Sequence, residues 1–223
     1  MMNGTHVEEV VTVGRHSEGG RAIARHPRLV AALAVVLGGG LIASAVVVYD
    51  RRGYHTPSDA GIVPAPVVPS AAPARPSPGA LPVRIALRGI GVSAPVVPVG
   101  VHHGAITVPD DVHTLGWWSA GARPGAAQGS VVVVGHVDSM TQGKGALFHL
   151  ESLPMGSTVV VTTRIGVVRY RVVGRRVYDK ANLPASVFAR RGAPRLVLIT
   201  CGGPFDAATL HYRDNVVVYA VPT

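Results

Sequence analysis

The chain contains one cysteine, Cys201, in 223 residues. It can form no internal disulfide, so any folded part must hold together by packing. Acidic residues are few: 12 Asp and Glu stand against 21 Lys and Arg, a net charge of +9. Aromatic residues make up 5% and no nucleic-acid motif accompanies the basic surplus, so stacking on bases has little support and no nucleic-acid partner is expected. None of the 10 histidines has the i, i+4 or clustered spacing of a zinc site, and no loop gathers the carboxylates that calcium takes. The expectation is no metal and no other cofactor. From Leu81 onward 14 basic residues face 7 acidic ones, a surplus of +7. Such a surplus suits anionic surroundings such as wall polymer or lipid headgroups, and equally a plain solvated basic surface.

What is present is unevenly spread. Residues 1–28 are polar and carry Arg15, Arg21, Arg25 and Arg28, the texture of a disordered cytoplasmic tail. Leu29 to Tyr49 contains no charged residue; as a helix rising 1.5 Å per residue it spans roughly 30 Å, the thickness of a bilayer core. It reads as a transmembrane signal-anchor. More arginines precede it than follow it (Arg51, Arg52), which puts the N-terminus in the cytoplasm and the remainder outside. Ala43-Ser44-Ala45 is the alternative, a signal-peptidase site, and it exports the rest as well. Residues 50–80 are rich in Pro and Ala and form a semi-rigid spacer, of which Val63 to Pro66 could fold back on the domain. Residues 81–223 are left as one domain, large enough to fold unaided.

In that domain short β-branched runs alternate with Gly, Pro and Asp. Candidate strands are Val83 to Leu87, Val96 to Val101, Ser130 to Val134, Thr158 to Thr163, Val167 to Val173, Arg175 to Asp179, Arg195 to Thr200 and Asn215 to Val221, with a hairpin turn around Gly166. Helical signal is confined to a turn or two in Ala146 to Leu153 and Ala181 to Phe188. The pattern is all-β, a barrel or a sandwich.

An exported domain with one unpaired thiol needs a reason for it. Cys201 follows the apolar run Arg195 to Thr200 and precedes Gly202-Gly203, a setting that suits a nucleophile. The plain reading is a buried, inert cysteine acting as a small hydrophobe. His136 has the same setting, after Ser130 to Val134 and Gly135, so two adjacent strands could bring imidazole and thiol together. A cation is also needed against the oxyanion of acyl transfer. Arg213 stands before the last strand, while Arg195 and Arg176 fit that need equally well on spacing.

Three pieces, Gly135 to Ser139 (GHVDS), Leu198 to Gly203 (LITCGG) and Tyr212 to Ala220 (YRDNVVVYA), resemble the His, Cys and Arg signatures of sortases in that order. Gly116 to Ser139 resembles the actinobacterial branch called class F. Membership would imply a closed β-barrel of about eight strands and a cysteine transpeptidase. Cys201 would be the nucleophile, His136 the general acid/base, Arg213 the oxyanion or positioning group, and Thr200 a residue shaping the substrate site. Substrates would be secreted proteins with a C-terminal Leu-Pro-x-Thr-Gly-like signal, and the acceptor an amine of a peptidoglycan precursor. The enzyme would be a monomer needing no cofactor. The run Leu196 to Cys201 departs from many relatives, with an apolar residue in place of an early Thr. Two rivals stand beside it: a peptidase that uses the same three residues and only hydrolyses, and a non-catalytic wall-binding domain whose basic cluster from Arg164 to Arg195 holds anionic polymer.

Overall fold

Runs such as Ser130 to Val134 have no polar face, so a sheet that contains them must be covered on both sides. The computed structural model meets that demand. It describes residues 10–12, 57–64 and 81–223. The stretch Leu29 to Tyr49, and the 1–28 tail apart from 10–12, lie outside the described residues. Among the described residues no helix is long and apolar enough to cross a membrane.

Eight strands form the body: β1 (Pro82–Leu87), β2 (Val92–Val99), β3 (Leu115–Trp118), β4 (Ser130–Val134), β5 (Thr158–Thr163), β6 (Gly166–Asp179), β7 (Arg195–Asp206) and β8 (His211–Pro222). Their order is β5-β1-β2-β3-β4-β7-β8-β6, and pairing of β5 with β6 closes the barrel. The β2–β3 and β4–β7 pairs are parallel, so each needs a crossover rather than a tight turn. The expectation of a closed, all-β barrel of about eight strands holds. The helical signals resolve into 3-10 turns at Leu150–Ser152, Lys180–Asn182 and Ala185–Phe188.

Alternation along the strands sends one set of side chains inward and one outward. The inner core takes Leu196 and Leu198 from β7, Val216 and Val218 from β8, Val131 and Val133 from β4, and partners from every other strand. The outer faces of β4, β7 and β8 present Val132, Val134, Val197, Ile199, Val217 and Tyr219. These are covered by Ile106, Trp118, Leu183, Val187 and Phe188. This second cluster explains why β4 is buried at all five positions.

Expectations change at several strands: β2 starts at Val92 and stops at Val99, and β8 starts at His211. The strands expected at Val167 to Val173 and Arg175 to Asp179 are one strand, β6, with a register shift against β8 between Val172 and Gly174. The glycine marks a bulge, not a break. Strand β3 was not expected, because Leu-Gly-Trp-Trp is short and shows no alternation. Strand β7 runs on through Cys201 to Asp206, since β8 keeps pairing with it on both sides of a bulge between Gly202 and Phe205.

Of the stretch read as a spacer, Pro57 to Pro64 is described, and it is docked on the barrel. Only the first half of β6 pairs with β5. Farther along, Ala60–Gly61 pairs antiparallel with Gly174 and Arg175, covering an edge that would otherwise be bare. Arg176 donates to the carbonyls of Ala60 (2.9 Å) and Gly61 (3.1 Å), and Ile62 N–H donates to Val173 (2.8 Å).

Candidate active site

The site is built where β4 stops and β7 continues. The parallel register pairs Val134 with Ile199, and Gly135 N–H donates to the Ile199 carbonyl at 3.1 Å. Two residues beyond that last pair, the chain past the end of β4 carries His136 and β7 carries Cys201. Thr200 is buried, and its hydroxyl donates to the Gly135 carbonyl at 2.8 Å. Thr200 thus tethers the peptide just before His136 to β7.

Cys201 is 5% exposed and lies on the outward face, in line with Val197 and Ile199. His136 is partly exposed. Its Nε2 lies 2.9 Å from the Pro109 carbonyl oxygen, which can only accept, so Nε2 carries the proton in this arrangement. In that tautomer Nδ1 is the ring nitrogen without the proton. Further ties hold this loop: Leu147 N–H donates to the His136 carbonyl at 3.3 Å, and a side chain at Gly145 would collide with that carbonyl. The Tyr212 hydroxyl donates to Asp138 at 2.7 Å, pinning the segment after His136 to β8.

Arg213 is exposed on β8, two positions from Asn215, which pairs with Cys201. Positions 213, 215, 217 and 219 share one face, so Arg213 emerges on the cysteine's side about 7 Å along the strand. The other two arginines have different surroundings. Arg195 lies six residues before Cys201, about 20 Å along β7, and is buried. It donates to Ser130 Oγ (2.9 Å), to the Pro64 carbonyl (3.1 Å) and to the Ser186 carbonyl, and burial lowers its pKa. Arg176 is taken up by Ala60 and Gly61. By alternation all three share the cysteine's face, but among the described residues Arg195 and Arg176 are tied to carbonyls and Arg213 is not.

Residues 85–223 match the family model described as Sortase domain, which is more than half of the chain. The chain belongs to the sortase family. Solved structures of sortases share the fold. Sortase C-1 from Actinomyces oris is 20% identical, with a TM-score of 0.51 over 63% of this chain and 72% of that one. A lid mutant of sortase A from Corynebacterium diphtheriae is 18% identical, with a TM-score of 0.51 over 69% and 73%. Comparison with the curated proteins gives no match. In this sortase barrel the apolar run Leu196 to Ile199 is wholly buried. Sequence reasoning missed the Pro109 carbonyl, the Tyr212–Asp138 bond and the buried Asn215. Only the last leaves a mark in the sequence, as a polar residue opening an apolar strand.

Proposed function

We propose that this sortase is an extracellular cysteine transpeptidase of the class F branch, acting on secreted proteins with Leu-Pro-x-Thr-Gly-like signals. What supports the reading is that His136 and Cys201 follow neighbouring ends of the parallel β4–β7 pair, with His136 Nε2 held at the Pro109 carbonyl. Cys201 sulfur, as thiolate, bonds to the Thr carbonyl carbon while the carbonyl pair moves onto oxygen. Collapse of that oxyanion breaks the C–N bond, and protonated His136 gives its proton to the departing Gly amine. An amine of a peptidoglycan precursor then attacks the thioester, forming a new C–N bond and releasing the thiolate, with His136 taking up the amine proton. Arg213 positions the signal. Residues 29–49 anchor the chain in the cell membrane with the N-terminus in the cytoplasm, residues 50–80 lead out from it, and the 81–223 domain works outside as a monomer.

The test uses the full-length chain in detergent with a fluorogenic Leu-Pro-x-Thr-Gly peptide, with and without an amine acceptor. Wild type, Cys201→Ala and His136→Ala are compared. Cleavage lost in both variants, with an acceptor-linked product, is the expected result. Free acid alone points to a hydrolase. No cleavage, with Cys201 inert to thiol reagents, overturns the catalytic reading in favour of wall binding.

A further inference from the structure

Three buried side-chain polar atoms among the described residues make no hydrogen bond: Trp118 Nε1 and both amide atoms of Asn215. Asn215 is 0% exposed. An amide removed from water without partners is unfavourable, and asparagine is a poor strand former. Its neighbours on the same face, Val217 and Tyr219, are apolar and packed, so a valine would fit the local pattern better. Strand β8 breaks that pattern at the one position paired with Cys201.

Directly opposed residues of an antiparallel pair hold their Cβ atoms about 4.5–5.5 Å apart on one face. The Asn215 amide nitrogen lies two bonds beyond its Cβ. An acyl oxygen on Cys201 lies three bonds beyond the cysteine Cβ, by way of sulfur and the carbonyl carbon. The two therefore fall within hydrogen-bond reach once sulfur is acylated. Resting on the transpeptidase reading, we propose that Asn215 is a catalytic residue whose amide N–H donates to the acyl oxygen on Cys201. It stabilises that oxygen when attack turns it into an oxyanion and holds it in the thioester. The unmatched Asn215 amide is then a donor directed to substrate, and Arg213, exposed and farther along β8, is left to position the signal.

Valine and threonine have nearly the same shape and differ in one methyl for one hydroxyl, so they isolate the donor. Full-length wild type, Asn215→Val, Asn215→Thr and Cys201→Ala are assayed with the peptide above. Losing one oxyanion donor typically lowers kcat by about 100-fold. That loss is expected for Asn215→Val, with KM nearly unchanged and a melting temperature equal to or above wild type. Asn215→Thr should recover about tenfold of it. The rate of Cys201 alkylation by iodoacetamide across a pH series should be the same in all three thiol-bearing proteins, because the donor acts on the acyl oxygen and not on the thiol. An Asn215→Val kcat within about twofold of wild type, or equal losses in the valine and threonine variants, overturns the assignment while leaving transpeptidation intact. A wild type without Cys201-dependent cleavage overturns both.

Discussion

At the scale of single residues the ground around Cys201 is shaped by exclusion. Gly203 has φ +74°, and a side chain there would run into the Asp214 carboxylate. Asp214 in turn has its pKa raised, chiefly by desolvation, with Asp179 adding and Arg213 opposing. A carboxyl raised in the folded state binds its proton more tightly folded than unfolded. Stability therefore falls as pH rises from the ordinary aspartate value, about 3.9, through the raised one, and the penalty is complete above it. Asp214→Asn removes that penalty. Because the group is mostly solvated, the gain at neutral pH is small, about one or two degrees in Tm. Melts of the two proteins should differ at pH 7 and converge below the ordinary aspartate range. The same distinction marks what the sequence could disclose of the site. Cys201 and His136 stand out as candidates in the sequence because each follows an apolar run that ends in glycine or threonine. The proton-accepting carbonyl of Pro109 is a backbone group, and no residue pattern encodes it. Choosing among Arg213, Arg195 and Arg176 needed to know which guanidinium was already engaged, which is a matter of tertiary contacts.

At the scale of elements, β4 and β5 were legible residue for residue because β-branched runs bounded by turn residues have one reading. Strand β3 was hidden because its four residues owe their strand to neighbours, with Gly116 and Trp117 paired to β4. Pro57 to Pro64 was hidden for the opposite reason, a proline-rich composition that argues for a linker. It docks because β6 outruns β5 and leaves donors and acceptors that Ala60–Gly61 can use. Arg175 adds a bond to the Ser58 carbonyl (2.8 Å) and Val177 N–H one to Asp59 Oδ1 (2.9 Å). Each such bond contributes about 0.5–1.5 kcal/mol net, set against the ordering of the segment. Gly61 has φ +65°, and a methyl group there would strike the Val173 carbonyl oxygen. Gly61→Ala should release the segment and lower Tm by several degrees, with new proteolytic cleavage between Pro57 and Pro64. An equal Tm with the segment cut would mean that the docking carries no stability, and an uncut segment that the backbone there accommodates the methyl group.

For the molecule as a whole, the central point is that β4, β7 and β8 are shared by two apolar layers with different duties. The inner layer closes the barrel. The outer layer lies on the face from which Cys201, Asn215 and Arg213 emerge, and it binds the segment between β6 and β7 to that face through Leu183, Val187 and Phe188. Phe188 meets Trp118 edge to face at 5.6 Å, and Arg190 stacks over the same indole at 5.6 Å. Truncation should therefore separate stability from activity according to layer. Leu198→Ala opens a cavity in the barrel interior and should cost about 2–5 kcal/mol, yet leave kcat near wild type when assayed well below its lowered Tm. Phe188→Ala acts at the rim of the outer layer, where the segment can partly collapse, so its stability cost should fall below the 3–5 kcal/mol usual for a buried Phe. Its kcat should fall more than that of Leu198→Ala, because loosening this segment frees the wall beside the cysteine. Thermal melts paired with peptide cleavage below both midpoints measure the two effects. If kcat fell in proportion to stability in both variants, the layers would be acting as one core, and the barrel would have no separable active-site face.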